Sequence, residues 1–426
     1  MKPIKTDQSQ GLLFQPRLSN LLNPNHELIL FSQLIDWNEL DNDLIVYFPN
    51  DKGAPAKPIR LITGLLILQH FYGLSDEQVV AGWVENPYWQ YFCGFDYLQW
   101  KMPIDPSSLV NWRKRLGKEG MQKILNSTIR WALDAGAISP SSLKNVIVDT
   151  TVMPKNICYP TDSKLYFKGI NTLVKAAKNF HIPLRQTYTF LAKEALRNTQ
   201  KYAHARQMKR ASRESKRLKT YLGRLRRDIE RTTVGRSDLI VILNPVFELI
   251  DCLLKQTRHD KNKIYSLHEP HVECISKGKA HKKYEFGCKA SIVITHKEGL
   301  ALGLKALHGN PYDGHTLSEV LKEAEEACKT KINRVFVDKG YRGHSVTDKE
   351  VYISGKRGLS VYFKKMLRRR SAIEPSIGHM KSDGKLGKNY LKGILGDYLN
   401  AILCGIGHNV RIIINHFKDN FQTMPA

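Results

Sequence analysis

No two cysteines in this chain stand as a C-x-x-C pair. The seven present, Cys93, Cys158, Cys252, Cys274, Cys288, Cys328 and Cys404, are an odd and scattered set, which excludes a disulfide framework or zinc ribbon and reads as reduced, mostly buried thiols. Long apolar runs are also missing. The longest, Leu61 to Leu68, is interrupted and too short to cross a bilayer, and Met1 to Pro16 contain no apolar core behind a basic start. These absences point to a soluble cytoplasmic protein with no membrane partner. Acidic residues are the third scarcity: 40 of them face 66 Lys and Arg, for a formal net charge of +26.

A protein this basic works against a polyanion, and nucleic acid is the leading class. A basic metabolic enzyme or a ribosome-associated factor fits the charge alone as well, because charge does not identify chemistry. With 42% apolar residues over 426 positions, the chain can bury a full core and divides into two or three domains.

Residues 1–30 are largely polar and carry Pro16, Asn23, Pro24 and Asn25 as turn formers, so they read as an arm. Residues 31–140 read as an all-helical N-terminal domain. Ile59, Ile62, Leu65, Leu66 and Phe71 recur at helical spacing between Pro58 and Gly73, Ser75 with Gln78 makes a capping box, and Asp105-Pro106-Ser107 starts a helix expected to end at Gly117. That last helix carries Trp112, Arg113, Lys114 and Arg115, a basic face that could enter a DNA groove as in a helix-turn-helix unit. An ordinary solvated face with Trp112 in the core is the bland alternative.

Val146-Ile147-Val148 then switches to an unbroken apolar run, as in a strand buried on both faces. Residues 163–283 return to a helical pattern, with the Lys- and Arg-rich stretch from Lys193 to Arg236 carrying Leu218, Tyr221, Leu222, Leu225 and Ile229 at helical spacing. This looks like a long basic helix inserted between strands, either a DNA clamp or a solvated hairpin. Strand patterns resume from Tyr284, with a hairpin about Lys297-Glu298-Gly299, a helix from Asp313, a strand at Val335-Phe336-Val337, a short one near Val351, and helix from about Arg368. Residues 141–162 and 284–426 therefore form an α/β core, a mixed sheet with helices packed on it.

Two of these strands share one pattern. Val146-Ile147-Val148-Asp149 and Val335-Phe336-Val337-Asp338 each deliver a carboxylate at the end of a buried strand, where ligands gather in an open sheet. Either Asp alone is more often a turn or cap residue. A pair of magnesium ions serving phosphoryl transfer needs hard oxygen ligands and a third acid, and Glu374 fits: Arg370 at i−4 and Lys381 at i+7 would share its helical face. Pro375 argues against an ordinary helix interior there.

These residues resemble the bacterial DDE transposases of the insertion-sequence-five group, whose signature sets an Arg four positions before the catalytic Glu and a Lys seven after it, as Arg370, Glu374 and Lys381 stand here. Val148-Asp149-Thr150-Thr151, Tyr284-Glu285-Phe286-Gly287, the run Gly309 to His315, Asp338 to Gly343 and Ile377 to Lys381 agree with that group. The resemblance implies a ribonuclease-H-like core. It implies Asp149, Asp338 and Glu374 as catalytic ligands of two divalent ions, Mg2+ or Mn2+. Arg370 and Lys381 would hold phosphates of transposon-end DNA, and the chain would form a homodimer at the synapse of terminal inverted repeats with target DNA, associated with the nucleoid when bound. One position departs: Leu367 stands where the group has a Tyr, a contact then absent or supplied by Arg368 or Arg369.

Other residues invite weaker readings. Asp162 sits in a turn and Asp313 is expected to cap a helix. His268, His271 and Cys274 have zinc-like spacing but no fourth ligand. Trp83, Trp89 and Trp100 with Tyr88, Tyr91 and Phe92 could stack flipped bases, although core is their commoner use. Two rival functions are a ribonuclease-H-like nuclease without strand transfer and a non-catalytic DNA-binding regulator.

Overall fold

The structure, a computed structural model, describes Lys2 and residues 14–48, 55–257, 259–276 and 283–422. The remainder of the first thirteen residues, part of the expected arm, lies outside them. The chain divides into two units, one formed by Met1–Pro154 with Cys288–Ala426 and the other by Lys155–Gly287.

Among the described residues, the first unit opens with seven helices: α1 (Leu18–Leu21), α2 (Glu27–Leu34), α3 (Trp37–Ile45), α4 (Ile59–Phe71), α5 (Asp76–Glu85), α6 (Pro87–Phe92) and α7 (Ser107–Asp134). Local chemistry accounts for their ends. Asp36 accepts hydrogen bonds from the amides of Asn38 and Glu39, Ser75 and Gln78 form the expected capping box, and Asn86 caps α6 ahead of Pro87. Beyond Tyr72, Gly73 turns left-handed at φ +70° and ends α4. Gly117 (φ 60°, ψ −163°) breaks α7, but a second helical stretch resumes at once and runs on to Asp134. The arm reading also needs correction, since Leu18, Leu28 and Ile29 are buried core residues.

The first strand, β1 (Asn145–Pro154), leads into the second unit. That unit holds α8 (Asp162–Asn179), α9 (Thr189–His204), α10 (Met208–Thr232), α11 (Ser237–Lys255) and β2 (Glu273–Ile275). The single long helix expected across Lys193–Arg236 is two helices, because the backbone turns left-handed at Arg206 (φ 57°). Leu218, Leu222, Leu225 and Ile229 of α10 are buried with Leu173 of α8 and Phe247 of α11. The periodicity thus marked a core-facing stripe, and Lys209, Arg213, Lys216, Arg224 and Arg227 stay exposed on the other side.

The chain returns through β3 (Glu285–Thr295), β4 (Ala301–Leu307), α12 (Asp313–Cys328), β5 (Arg334–Val337) and β6 (Glu350–Ile353), then α13 (Val361–Arg369), α14 (Ile373–Ser382) and α15 (Gly393–Gln422). The sheet runs β2-β3-β1-β5-β6, with β4 pairing antiparallel to β3. Strands β1 and β5 are parallel, with Val146 opposite Val335 and Ile147 opposite Phe336. The helix expected from Arg368 is interrupted: a 3-10 turn at Arg370–Ala372 separates α13 from α14. Pro375 then falls in the first turn of α14, where its missing N–H costs nothing.

The N-terminal helices do not form a separate domain. Helices α4 and α7 pack on α15, which packs on β4, and Leu65, Trp131, Val146, Val293, Val335 and Ile402 share one buried cluster. Helix α4, buried on almost every side, is too apolar to face water and needs α15 to cover it.

Candidate active site

The parallel register of β1 and β5 decides where the acids lie. Two residues beyond the paired Ile147 and Phe336 come Asp149 and Asp338, so both acids stand at one level of neighbouring strands, Asp338 just past the end of β5 and Asp149 within β1, which runs on to Pro154 instead of ending at the acid. Each is anchored by a nearby amide: Asp149 Oδ1 accepts from Thr150 N at 2.7 Å and Asp338 Oδ1 from Gly340 N at 2.8 Å. A side chain at Gly340 would meet both Asp338 Oδ1 at 3.0 Å and Asp313 Oδ2 at 3.6 Å.

Asp313 is therefore part of this group, not the helix cap expected of it. The N-cap of α12 is Tyr312, without a side-chain bond, and the Asp313 carboxylate looks inward. Its Oδ1 accepts from Lys289 Nζ at 2.9 Å and its Oδ2 from Thr150 Oγ1 at 3.0 Å, tying β1, β3 and α12 together. Lys289 Nζ also donates to Pro311 O at 2.6 Å. The Tyr341 phenol, fully buried, is held protonated well above its ordinary value by burial and then by the charges of Asp149, Asp313 and Asp338. Three carboxylates thus act on one buried hydroxyl. The usable sequence signal was the Gly309–His315 run, which contains Asp313.

Glu374 reaches the site from the other side. It stands in the first turn of α14, which packs on β1, and its side chain is 67% exposed. Between it and the strand acid lies Arg370, with Nη1 3.8 Å from Asp149 Oδ2 and Nη2 3.7 Å from Glu374 Oε1. Among the described residues, Asp149, Asp338 and Glu374 do not bring their oxygens within 4.8 Å of one another as one set. The Arg370 guanidinium stands between two of them and offsets part of the repulsion of their charges. The donors are all carboxylate oxygens, the chemistry a hard divalent cation takes.

Other sequence-based assignments part from the structure. Arg113, read as a DNA contact, is 4% exposed and locked to Asp76 and Gln69. Trp112 is a core residue whose ring centroid lies 4.7 Å from that of Phe48. Helical spacing explains this: Leu109, Trp112, Arg113 and Leu116 share the buried face, leaving Lys114 and Arg115 of the basic run exposed. Arg369 donates to the carbonyls of His296 and Lys297 at 3.0 and 2.5 Å, so it braces the β3–β4 turn, and both it and Arg368 are exposed. Lys381 is half-buried in the last turn of α14. Trp83, Trp89 and Phe92 are core, while Trp100 is 76% exposed. His268 Nδ1 pairs with Ser266 and Lys168, and no metal-like group forms with His271 and Cys274 among the described residues.

Residues 16–115 match the family described as Transposase domain (DUF772), and residues 257–409 match Transposase DDE domain. The chain belongs to the bacterial DDE transposases. Its DDE match spans Asp338, Arg370, Glu374 and Lys381 and implies a ribonuclease-H-like fold, consistent with the mixed sheet. The transposase is also similar to "Uncharacterized protein ORF8 in nfe locus" of Rhizobium meliloti, with 45% identity over 207 residues, covering 49% of this chain and 100% of that protein. No solved structure matches it. A DDE transposase acts on DNA with divalent metal ions. No helix among the described residues is long and apolar enough to cross a membrane.

Proposed function

We propose that this transposase, of the insertion-sequence-five group, cleaves the terminal inverted repeats of its element and joins the freed 3′-OH to target DNA, with Asp149, Asp338 and Glu374 as the catalytic acids. The observation that carries the reading is Arg370 set between Asp149 and Glu374, which links the strand acid to the helix acid across 3.8 and 3.7 Å contacts. These three carboxylates would hold two magnesium ions, or manganese in their place. When bound, such ions neutralise charge on the attacking and leaving oxygens of an in-line displacement.

The chain's own residues supply position and countercharge, which is most of what phosphoryl transfer requires. Arg370 balances Asp149 and Glu374 without DNA and would present its two-pronged donor to a phosphate once cations take over that charge. Lys381, on the same helix as Glu374, adds a second phosphate contact. Lys114 and Arg115 on α7, and the exposed Lys and Arg of α10, offer further backbone contacts that are independent of sequence. Tyr341 is fully buried and out of reach of a phosphodiester, and water is the group that would open the strand. Two ends handled together call for a homodimer at the synapse.

The test incubates the full chain with magnesium and DNA carrying the element's ends, resolving nicked from joined products, for wild type and for Asp149→Ala, Asp338→Ala and Glu374→Ala. Each substitution is expected to abolish nicking while leaving DNA binding largely intact. Nicking that survives any one of them overturns the assignment. Nicking by wild type without joined product would instead mark a nuclease.

A further inference from the structure

A second cluster of chemically able side chains lies in the first unit, made of residues outside the carboxylate donor set. Cys288 on β3, His308 directly after β4 and Asp397 in α15 bring one ligand atom each within 4.8 Å of one another. We propose that these three side chains form a site for one borderline-soft divalent ion, zinc in class, separate from the ions of DNA cleavage.

His308 carries the argument. Both of its ring nitrogens are shielded from water, and neither has a hydrogen-bond partner. A buried imidazole left so is costly unless something else takes its lone pair. Its Nε2 stands 3.7 Å from Asp397 Oδ2, too long for a hydrogen bond. That spacing is close to the edge of about 3.4 Å expected between nitrogen and oxygen ligands on a tetrahedral zinc ion.

The carboxylate is held ready as well. Asn389, fully buried, donates from Nδ2 to Asp397 Oδ1 at 2.7 Å, which leaves Oδ2 as the oxygen turned toward His308. Asn389 is itself fixed, its N–H donating to Pro154 O at 2.7 Å and its Oδ1 accepting from Leu391 N at 2.9 Å. Outer hydrogen bonds of this kind orient metal ligands. The donor set of sulfur, imidazole nitrogen and one carboxylate oxygen favours zinc or cobalt and disfavours magnesium. Three protein ligands leave one position for water.

An ion here would staple β3, the end of β4 and α15. It would also fix the residue just before the segment Gly309–Tyr312, which leads to Asp313 and the carboxylate group.

The full chain, stripped with a chelator, is reloaded with cobalt in excess magnesium and desalted. Wild type and Cys158→Ser, which alters an exposed thiol, are expected to retain one cobalt per chain with a thiolate-to-cobalt charge-transfer band. Cys288→Ser and His308→Gln are expected to lose both, and Asp149→Asn to keep both, which separates this site from the cleavage ions. Wild type showing no such band overturns the proposal whatever the variants do, as does a band that persists in Cys288→Ser or His308→Gln. Because a variant can fail to fold, thermal melting of wild type with and without zinc provides a second reading. A rise in melting temperature at stoichiometric zinc is expected, and no rise overturns the proposal.

Discussion

The guanidinium of Arg370 lies 3.8 Å from the carboxylate of Asp149, a contact between a 3-10 turn and the middle of the first strand. Its other nitrogen faces Glu374, so one planar cation serves acids from two elements. A lysine has a single charged nitrogen and cannot span both. Arg370→Lys and Arg370→Ala should each lower the rate of strand cleavage by about 100-fold, the scale for loss of one well-placed donor, in a single-turnover assay at saturating DNA. Cleavage within a few-fold of wild type by Arg370→Lys would remove the bridging role.

Asp313 pairs with Lys289, whose side chain is only 9% exposed. Removing one partner of such a pair strands a buried charge, at a cost of about 3–5 kcal/mol. Asp313→Ala should show that loss in denaturant unfolding, and adding Lys289→Met should recover most of it. If Asp313→Ala unfolds like wild type, the strut is unimportant.

Arg113 and its neighbours on α7 should separate cleanly in two assays. Arg113→Met breaks the buried pair with Asp76 and is expected to reduce stability by about 3–5 kcal/mol. Lys114→Ala should instead leave unfolding unchanged and reduce the slope of log affinity for DNA against log salt by about one. Arg115→Ala should do the same to the slope, with a packing loss of about 0.5–1 kcal/mol because its guanidinium lies over the rings of Phe48 and Trp112.

Acid should destabilise the first unit before its carboxylates titrate. Burial drives His408 down to about 4 and His70 down to about 3, each with one ring nitrogen on a carbonyl, of Gly299 and Leu66 respectively. With a folded value below the ordinary 6.5, the unfolded chain binds the proton first, so stability is lost as pH falls from 6.5 toward 4 and levels off below the folded value. For His408 the loss is about 3 kcal/mol at about 1.4 kcal/mol per unit. Melting temperature followed from pH 7.5 to about 4 should fall less steeply in His408→Gln. An equal slope in that variant would exclude His408 as a cause.

Much of the local structure was legible because local rules made it. The capping box of Ser75 and Gln78, the Gly73 stop, the β3–β4 hairpin and the two apolar runs ending in Asp149 and Asp338 depend on neighbours a few residues away. Their likeness to one another was visible before any pairing was known. Glu374 and Arg370 were legible through spacing on one helical face, although Pro375 and the 3-10 turn altered the helix around them.

What periodicity cannot report is which surface covers a given face. The basic run on α7 mixes one buried Arg with two exposed cations because Asp76 and Gln69 arrive from α4 and α5, and α4 itself joins the sheet's core only because α15 returns to cover it. Asp313 with Lys289, and Cys288 with His308 and Asp397, join residues far apart in the chain, without a recurring spacing to announce them. The amino-acid order by itself determined most of the elements, several of their caps and the acids that follow the two apolar strand runs, since those follow from short-range sterics and hydrogen bonding. Only the tertiary structure decided which charges meet and which are buried, because electrostatics and burial act through space, between segments that sequence distance keeps apart.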